Sequence, residues 1–172
     1  MTVRRYRGLA APLLGAATAL YTIPSLALFS LLLPFTGLSA TTVVTGLVLY
    51  SLTILVRNML AGLDAVPADV REAARGMGYG EGRLLWRVEL PLALPTIMAG
   101  LRVATVSTVA LVTVGVIVDN GGLGNLIYQG LQSNFRAEVL TASVLCVALA
   151  VLADLALLGV QRSLTPWQRG AR

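Results

Sequence analysis

Of the side chains that could do chemistry, the chain holds eight carboxylates, one cysteine, no histidine and thirteen basic residues, every one an arginine. With no histidine and a lone thiol at Cys146, the usual zinc ligand sets and the thiol–imidazole pair are ruled out, so no metal is expected. With no lysine there is no Gly-x-x-x-x-Gly-Lys-Ser/Thr phosphate loop, so ATP is not expected to bind here in that way. Carboxylates with plausible general-base partners are not clustered, and neither enzymatic activity nor a cofactor is expected. What the charges do form is an island. Between Asp64 and Glu89 stand five carboxylates and four arginines, flanked by stretches that are almost uncharged. Within it Val70, Ala73, Ala74 and Met77 recur at helical spacing, with Asp69, Arg71, Glu72 and Arg75 on the other faces. A short two-sided helix of this kind suits a groove on a soluble partner or the lipid surface, and spacing alone does not separate the two.

The elements that carry the island are apolar. Of 172 residues 56% are hydrophobic and 12% charged, and the mean hydropathy is +0.81. Soluble domains carry about twice that charge fraction, which makes this an integral membrane protein. A bilayer core of ~30 Å needs ~20 apolar residues per helix. Four spans are predicted, at about 9–34, 42–63, 90–118 and 139–160, with residues 64–89 as a loop between the second and third. The runs are too long and unbroken for barrel strands. The expected fold is therefore all-α, a multi-pass transmembrane helical bundle forming one domain over 1–172. The opening Met-Thr-Val-Arg-Arg-Tyr-Arg is read as the start of a retained span: the run behind it is too long for a cleaved signal and contains Pro12 and Pro24.

Threading four spans alternately puts ten arginines on one side: Arg4, Arg5, Arg7, Arg71, Arg75, Arg83, Arg87, Arg162, Arg169 and Arg172. Arg136 falls opposite. The positive-inside rule then assigns both termini and the island to the cytoplasm, and the basic pI needs no nucleic acid to explain it. Arg57, Arg102 and Asp154 lie at or near membrane depth, where ionisable groups are functional candidates because of their desolvation cost. Arg57 and Arg102 read as near the cytoplasmic ends, within snorkelling reach. Asp154 has no such reach, and a pair with Arg102 or Arg57 inside the bundle is expected. Pro24, beside Tyr21 and Ser25, should kink the first span, lining a pathway or serving packing alone. Pro91 and Pro95 fit the opening turns of the third. On the outer side Gly121, Gly122 and Gly124 precede a predicted short helix over 123–131, read either as a gate at the external mouth or as an ordinary capped loop helix.

Glu72-Ala73-Ala74, Gly78, Val88 and Leu90-Pro91 resemble, at matching spacing, the cytoplasmic loop motif Glu-Ala-Ala-x3-Gly-x9-Ile-x-Leu-Pro of binding-protein-dependent ABC importer permeases. Valine for isoleucine at Val88 is the departure. The resemblance implies a type I importer permease fold, with Glu72, Ala73, Ala74 and Gly78 as a docking elbow of short coupling helices for an ATPase subunit. Gly78 would permit the turn, and Leu90-Pro91 would restart the membrane helix. Tyr21-Thr22-Ile23-Pro24-Ser25, Arg57-Asn58, Val88-Glu89-Leu90-Pro91 and Gly121-Gly122-Leu123-Gly124 look like the branch that imports glycine betaine, choline, carnitine or proline. Asp119-Asn120 departs from the small residues of many relatives, and the chain is N-terminally short relative to the family, by at least one span.

The partners so implied are cytoplasmic ABC ATPase subunits that hold ATP and magnesium, an extracytoplasmic solute-binding protein, a second permease copy or paralogue, and cell-membrane lipid. An ion-coupled secondary transporter, a permease for another small solute such as methionine, and a non-transporting scaffold stay as rivals. The first of these would need inverted repeats and a midplane ion site, which the sequence does not display.

Overall fold

The computed structural model describes residues 15–16, 18–20 and 22–167. Arg4, Arg5, Arg7, Pro12, Tyr21, Arg169 and Arg172 lie outside them, as does the start of the predicted first span. The described residues form α1 (Ser25–Thr36), α2 (Ala40–Asp64), α3 (Ala68–Gly76), α4 (Glu81–Leu84), a π-helical turn (Leu85–Glu89), α5 (Leu90–Val114), a 3₁₀ turn (Gly115–Val118), α6 (Leu123–Gln132) and α7 (Arg136–Leu164). Ala40–Asp64, Glu81–Val118 and Arg136–Leu164 are long and apolar enough to cross a membrane, and Ser25–Thr36 is a shorter apolar helix. Where no water reaches, each backbone donor and acceptor must be met within its own helix.

The spans outrun their apolar windows. The third departs most: the chain is helical from Glu81 and does not restart at Leu90-Pro91. Pro91 and Pro95 thus sit inside a continuous rod. A proline lacks its own donor and crowds the carbonyl four residues back, and the turn just before Pro91 is widened, with the Leu90 amide reaching back to Leu85. In the first apolar run the chain leaves the helix at Ile23 and Pro24, a break rather than a kink, and α1 begins at Ser25. The Tyr50 hydroxyl of α2 donates to the Ile23 carbonyl at that break, and Thr22 donates to Ala19.

The centre of the bundle is the antiparallel seam of α2 and α5. Two apolar helices in lipid gain little from hydrophobicity, so their attraction rests on close packing and a few polar contacts. A methyl group on Gly62 would stand 3.0 Å from the Ala93 carbonyl and 3.2 Å from the Thr96 Cβ, and one on Gly100 would overlap Asn58. Ser51 and Thr108 hydroxyls meet across the seam at 3.0 Å. Toward the end remote from residues 64–89, Phe29, Val43, Leu47 and Val118 form a buried cluster, with Leu33 and Leu111 against it. α7 packs on α5 and α6 but buries Ala142 and little else, leaving most of its apolar surface outward.

Replacing Gly100 with alanine should force the seam apart and cost about 1–3 kcal/mol. Gly159→Ala, on α7 with nothing near its would-be Cβ, should be neutral. Thermal unfolding of the detergent-solubilised protein, read for both variants, checks the contrast.

Candidate functional site

The island folds as an elbow. Asp69 lies in the first turn of α3 and Arg75 in its last, each complementing the partial charge of that helix end. The helix closes with a Schellman turn: the Gly78 amide bonds to Arg75 at 2.9 Å and the Tyr79 amide to Ala74 at 3.1 Å. That closure needs a left-handed residue, and Gly78 supplies it with φ +83. Ala74 (2% exposed) and Leu84 (1%) are the buried side chains of α3 and α4. Glu72, Ala73, Met77 and Gly78 are exposed. The apolar stripe expected of the island is therefore divided, with Val70 and Ala74 turned inward and Ala73 and Met77 outward. Across the bend Arg75 and Glu81 stand 3.6 Å apart on the surface, and Arg83 lies over the Tyr79 ring at 5.8 Å. Val88, Leu90 and Pro91 are half-buried where the π turn enters α5, so the motif residues occupy both sides of the elbow.

Two residues outside the motif join this site. Arg71 pairs with Glu89 at 3.1 Å and donates from Nη2 to the Leu63 carbonyl at 2.5 Å. The sequence signal for Glu89 was a carboxylate directly abutting an apolar run. Arg71 carried none beyond its place on the polar face.

Deeper in the bundle, Arg102 grips Asp154 with both Nε and Nη2, each at 2.7 Å. Arg102 lies twelve residues past Leu90, about 18 Å along the helix. The pair holds the guanidinium against α7. Arg57 donates to Thr18 at 2.6 Å, so the three intramembrane charges divide between two places.

The residues read as pathway or gate also divide. Pro24 and Ser25 lie at the break near Tyr50, whereas Gly121, Gly122 and Gly124 lie at the outer end of α5. Val43, beside Gly115 in that outer region, and Tyr50 are seven residues apart on α2, about 10 Å. Each glycine has a packing reason. Gly122 has φ +57, a methyl on Gly121 would stand 2.6 Å from the Val116 amide nitrogen, and one on Gly124 would strike the Thr113 backbone. Asn125 fastens the turn, accepting from the Gly121 amide at 2.9 Å and donating to the Asp119 carboxylate at 3.0 Å. Among the described residues no group of His, Cys, Asp and Glu is placed to hold a metal ion.

Comparison with known proteins gives one pattern. A family model described as binding-protein-dependent transport system inner membrane component matches residues 1–170. The osmoprotectant import permease protein OsmW of Salmonella typhimurium is 40% identical over 168 residues, 94% of this chain and 78% of that one. The glycine betaine/carnitine/choline transport system permease protein OpuCD of Bacillus subtilis is 37% identical over 165 residues, 95% of this chain and 72% of that one. Among solved structures, an inward-facing MetNI methionine ABC transporter chain superposes with a TM-score of 0.78 at 24% identity, covering 95% of this chain and 77% of that one. That likeness is one of fold.

Gly78→Ala should strain the elbow by about 1 kcal/mol and speed hydrogen exchange at the Gly78 and Tyr79 amides about fivefold, with Gly78→Asn nearer wild type. For the membrane pair, Asp154→Leu alone should lower the thermal midpoint in detergent by leaving Arg102 unpaired. The double variant Arg102→Leu/Asp154→Leu should recover most of the loss, since an apolar pair replaces half-buried charges at little cost.

Proposed function

This chain belongs to the family of binding-protein-dependent transport system inner membrane components, and on that premise we propose that it is the permease subunit of an ATP-driven importer of quaternary-amine osmoprotectants such as glycine betaine, choline or carnitine. The observation that carries the reading is the exposed elbow of residues 72–78, held by a glycine-dependent turn and joined directly to two spans. An ATPase pushing on that surface moves α2 and α5 as rigid bodies, which is how hinge and shear transitions transmit force. ATP and magnesium belong to that partner; this chain needs no cofactor or metal and performs no catalysis itself.

The substrate class follows the relatives that carry osmoprotectant and choline names at 36–40% identity, not the methionine transporter that shares the fold at 24%. Two copies, or this chain and a paralogue, form the pathway between them, and an extracytoplasmic binding protein delivers the solute. Quaternary amines are commonly held in aromatic cages. Ten aromatic residues in this chain, scattered along it, support leaving most of that recognition to the binding protein. The arginines of the elbow and Arg162 stand at one end of the antiparallel bundle, which supports a cytoplasmic face there and both termini on it.

Co-expressed with an ATPase and a binding protein of this family in cells lacking their own osmoprotectant uptake, the chain should confer vanadate-sensitive accumulation of labelled glycine betaine or choline. Gly78→Glu should abolish it. Accumulation that follows an ion gradient and survives an inactive ATPase would establish a secondary transporter instead, and uptake of methionine alone would move the chain to another solute class.

A further inference from the structure

We propose that Arg71 is a positioning residue that clamps the coupling helix to both adjoining spans, so that force on α3 reaches α2 and α5 together. This rests on the permease reading above and names the device within it. α3 is joined to α2 by residues 65–67 and to α4 by residues 77–80, two short turns that can bend. Its packing within the chain is against α4 and the π turn. Packing resists compression but opens under tension. The Arg71 side chain supplies what packing lacks, a hydrogen bond on one side and an ion pair on the other.

Toward α2 its Nη2 donates to the Leu63 carbonyl in the last helical turn, which also accepts from the Val66 amide at 3.3 Å and carries the negative end of the macrodipole. Toward α5 its Nε faces the Glu89 carboxylate at 3.1 Å, and Glu89 is the last residue of the π turn, directly before Leu90 and Pro91. The side chains are 19% and 14% exposed, so bulk water screens the pair far less than it does the surface pair of Arg75 and Glu81, at 39% and 45%. The geometry calls for arginine. Its extended guanidinium reaches a carbonyl with one nitrogen while its delocalised charge stays beside the carboxylate, whereas lysine would present one compact charge at a single point.

The test uses the assembled transporter in nanodiscs, with glycine betaine as the probe, and reads solute moved per ATP hydrolysed. A thiol introduced by Ala73→Cys is crosslinked to the ATPase as a measure of docking. In Arg71→Ala the crosslink and ATP hydrolysis should persist while solute per ATP falls at least tenfold, with Arg71→Lys and Glu89→Gln falling severalfold. The exchanged pair Arg71→Glu/Glu89→Arg should move more solute per ATP than Glu89→Arg alone. A solely structural role for Arg71 predicts less assembled protein at an unchanged ratio. An unchanged ratio in Arg71→Lys and Glu89→Gln overturns the clamp, and those two variants decide the matter if Arg71→Ala does not fold. Spin labels at Ala73 and Val103 in the permease alone keep the two readings separable. Their distance distribution should broaden in Arg71→Ala, and an unchanged width also counts against the clamp. A wild-type Ala73→Cys thiol that never meets an ATPase defeats the functional reading without touching that distance.

Discussion

Lipid tails are as apolar as the helices they surround, so two spans hold together only as tightly as their surfaces allow. In this chain that limit is set where α2 meets α5. Gly62 and Gly100 remove the side chains that would keep the backbones apart, Asn58 and Thr96 fill the space so gained, and the Ser51 and Thr108 hydroxyls satisfy each other across it. The same two helices are the ones whose ends flank the elbow. The seam joins them along their length.

Departures from regular helix fall where a neighbour can absorb their cost. The break at Pro24 leaves the Ile23 carbonyl outside the helical ladder, and the Tyr50 hydroxyl meets it. The π turn of residues 85–89 widens the rod one residue before Pro91, where the missing donor would otherwise leave the ladder strained. At the outer end the chain turns twice within a few residues, and the loop is drawn onto α5 so closely that side chains at 121 and 124 would not fit.

Two arginines of similar chemistry are used differently because of where they lie. Arg102, about 18 Å into its helix, is held by a bidentate carboxylate from α7. Arg71 lies at the elbow, where it hydrogen-bonds the Leu63 carbonyl of one helix and stands beside the Glu89 carboxylate of the next. The first joins α7 to the central seam. The second joins the elbow to the seam's end.

The sequence by itself determined the class of fold, the apolar runs and the motif. Hydropathy is a sum over local composition, and fixed spacing survives without any knowledge of packing. It also marked Gly78, whose left-handed φ is a local demand of the turn that ends α3. Tertiary structure alone decided which arginine Asp154 takes, because both lie within plausible reach of it and only the antiparallel register of α5 and α7 chooses between them. It decided that the helix carrying the third span already begins at Glu81, where the burial of Leu84 at the elbow continues the helix ahead of the apolar run. It decided, too, that Arg71 meets Glu89 and Leu63. Those groups are separated in the chain by a helix and two turns, and no local pattern encodes the fold that closes the distance.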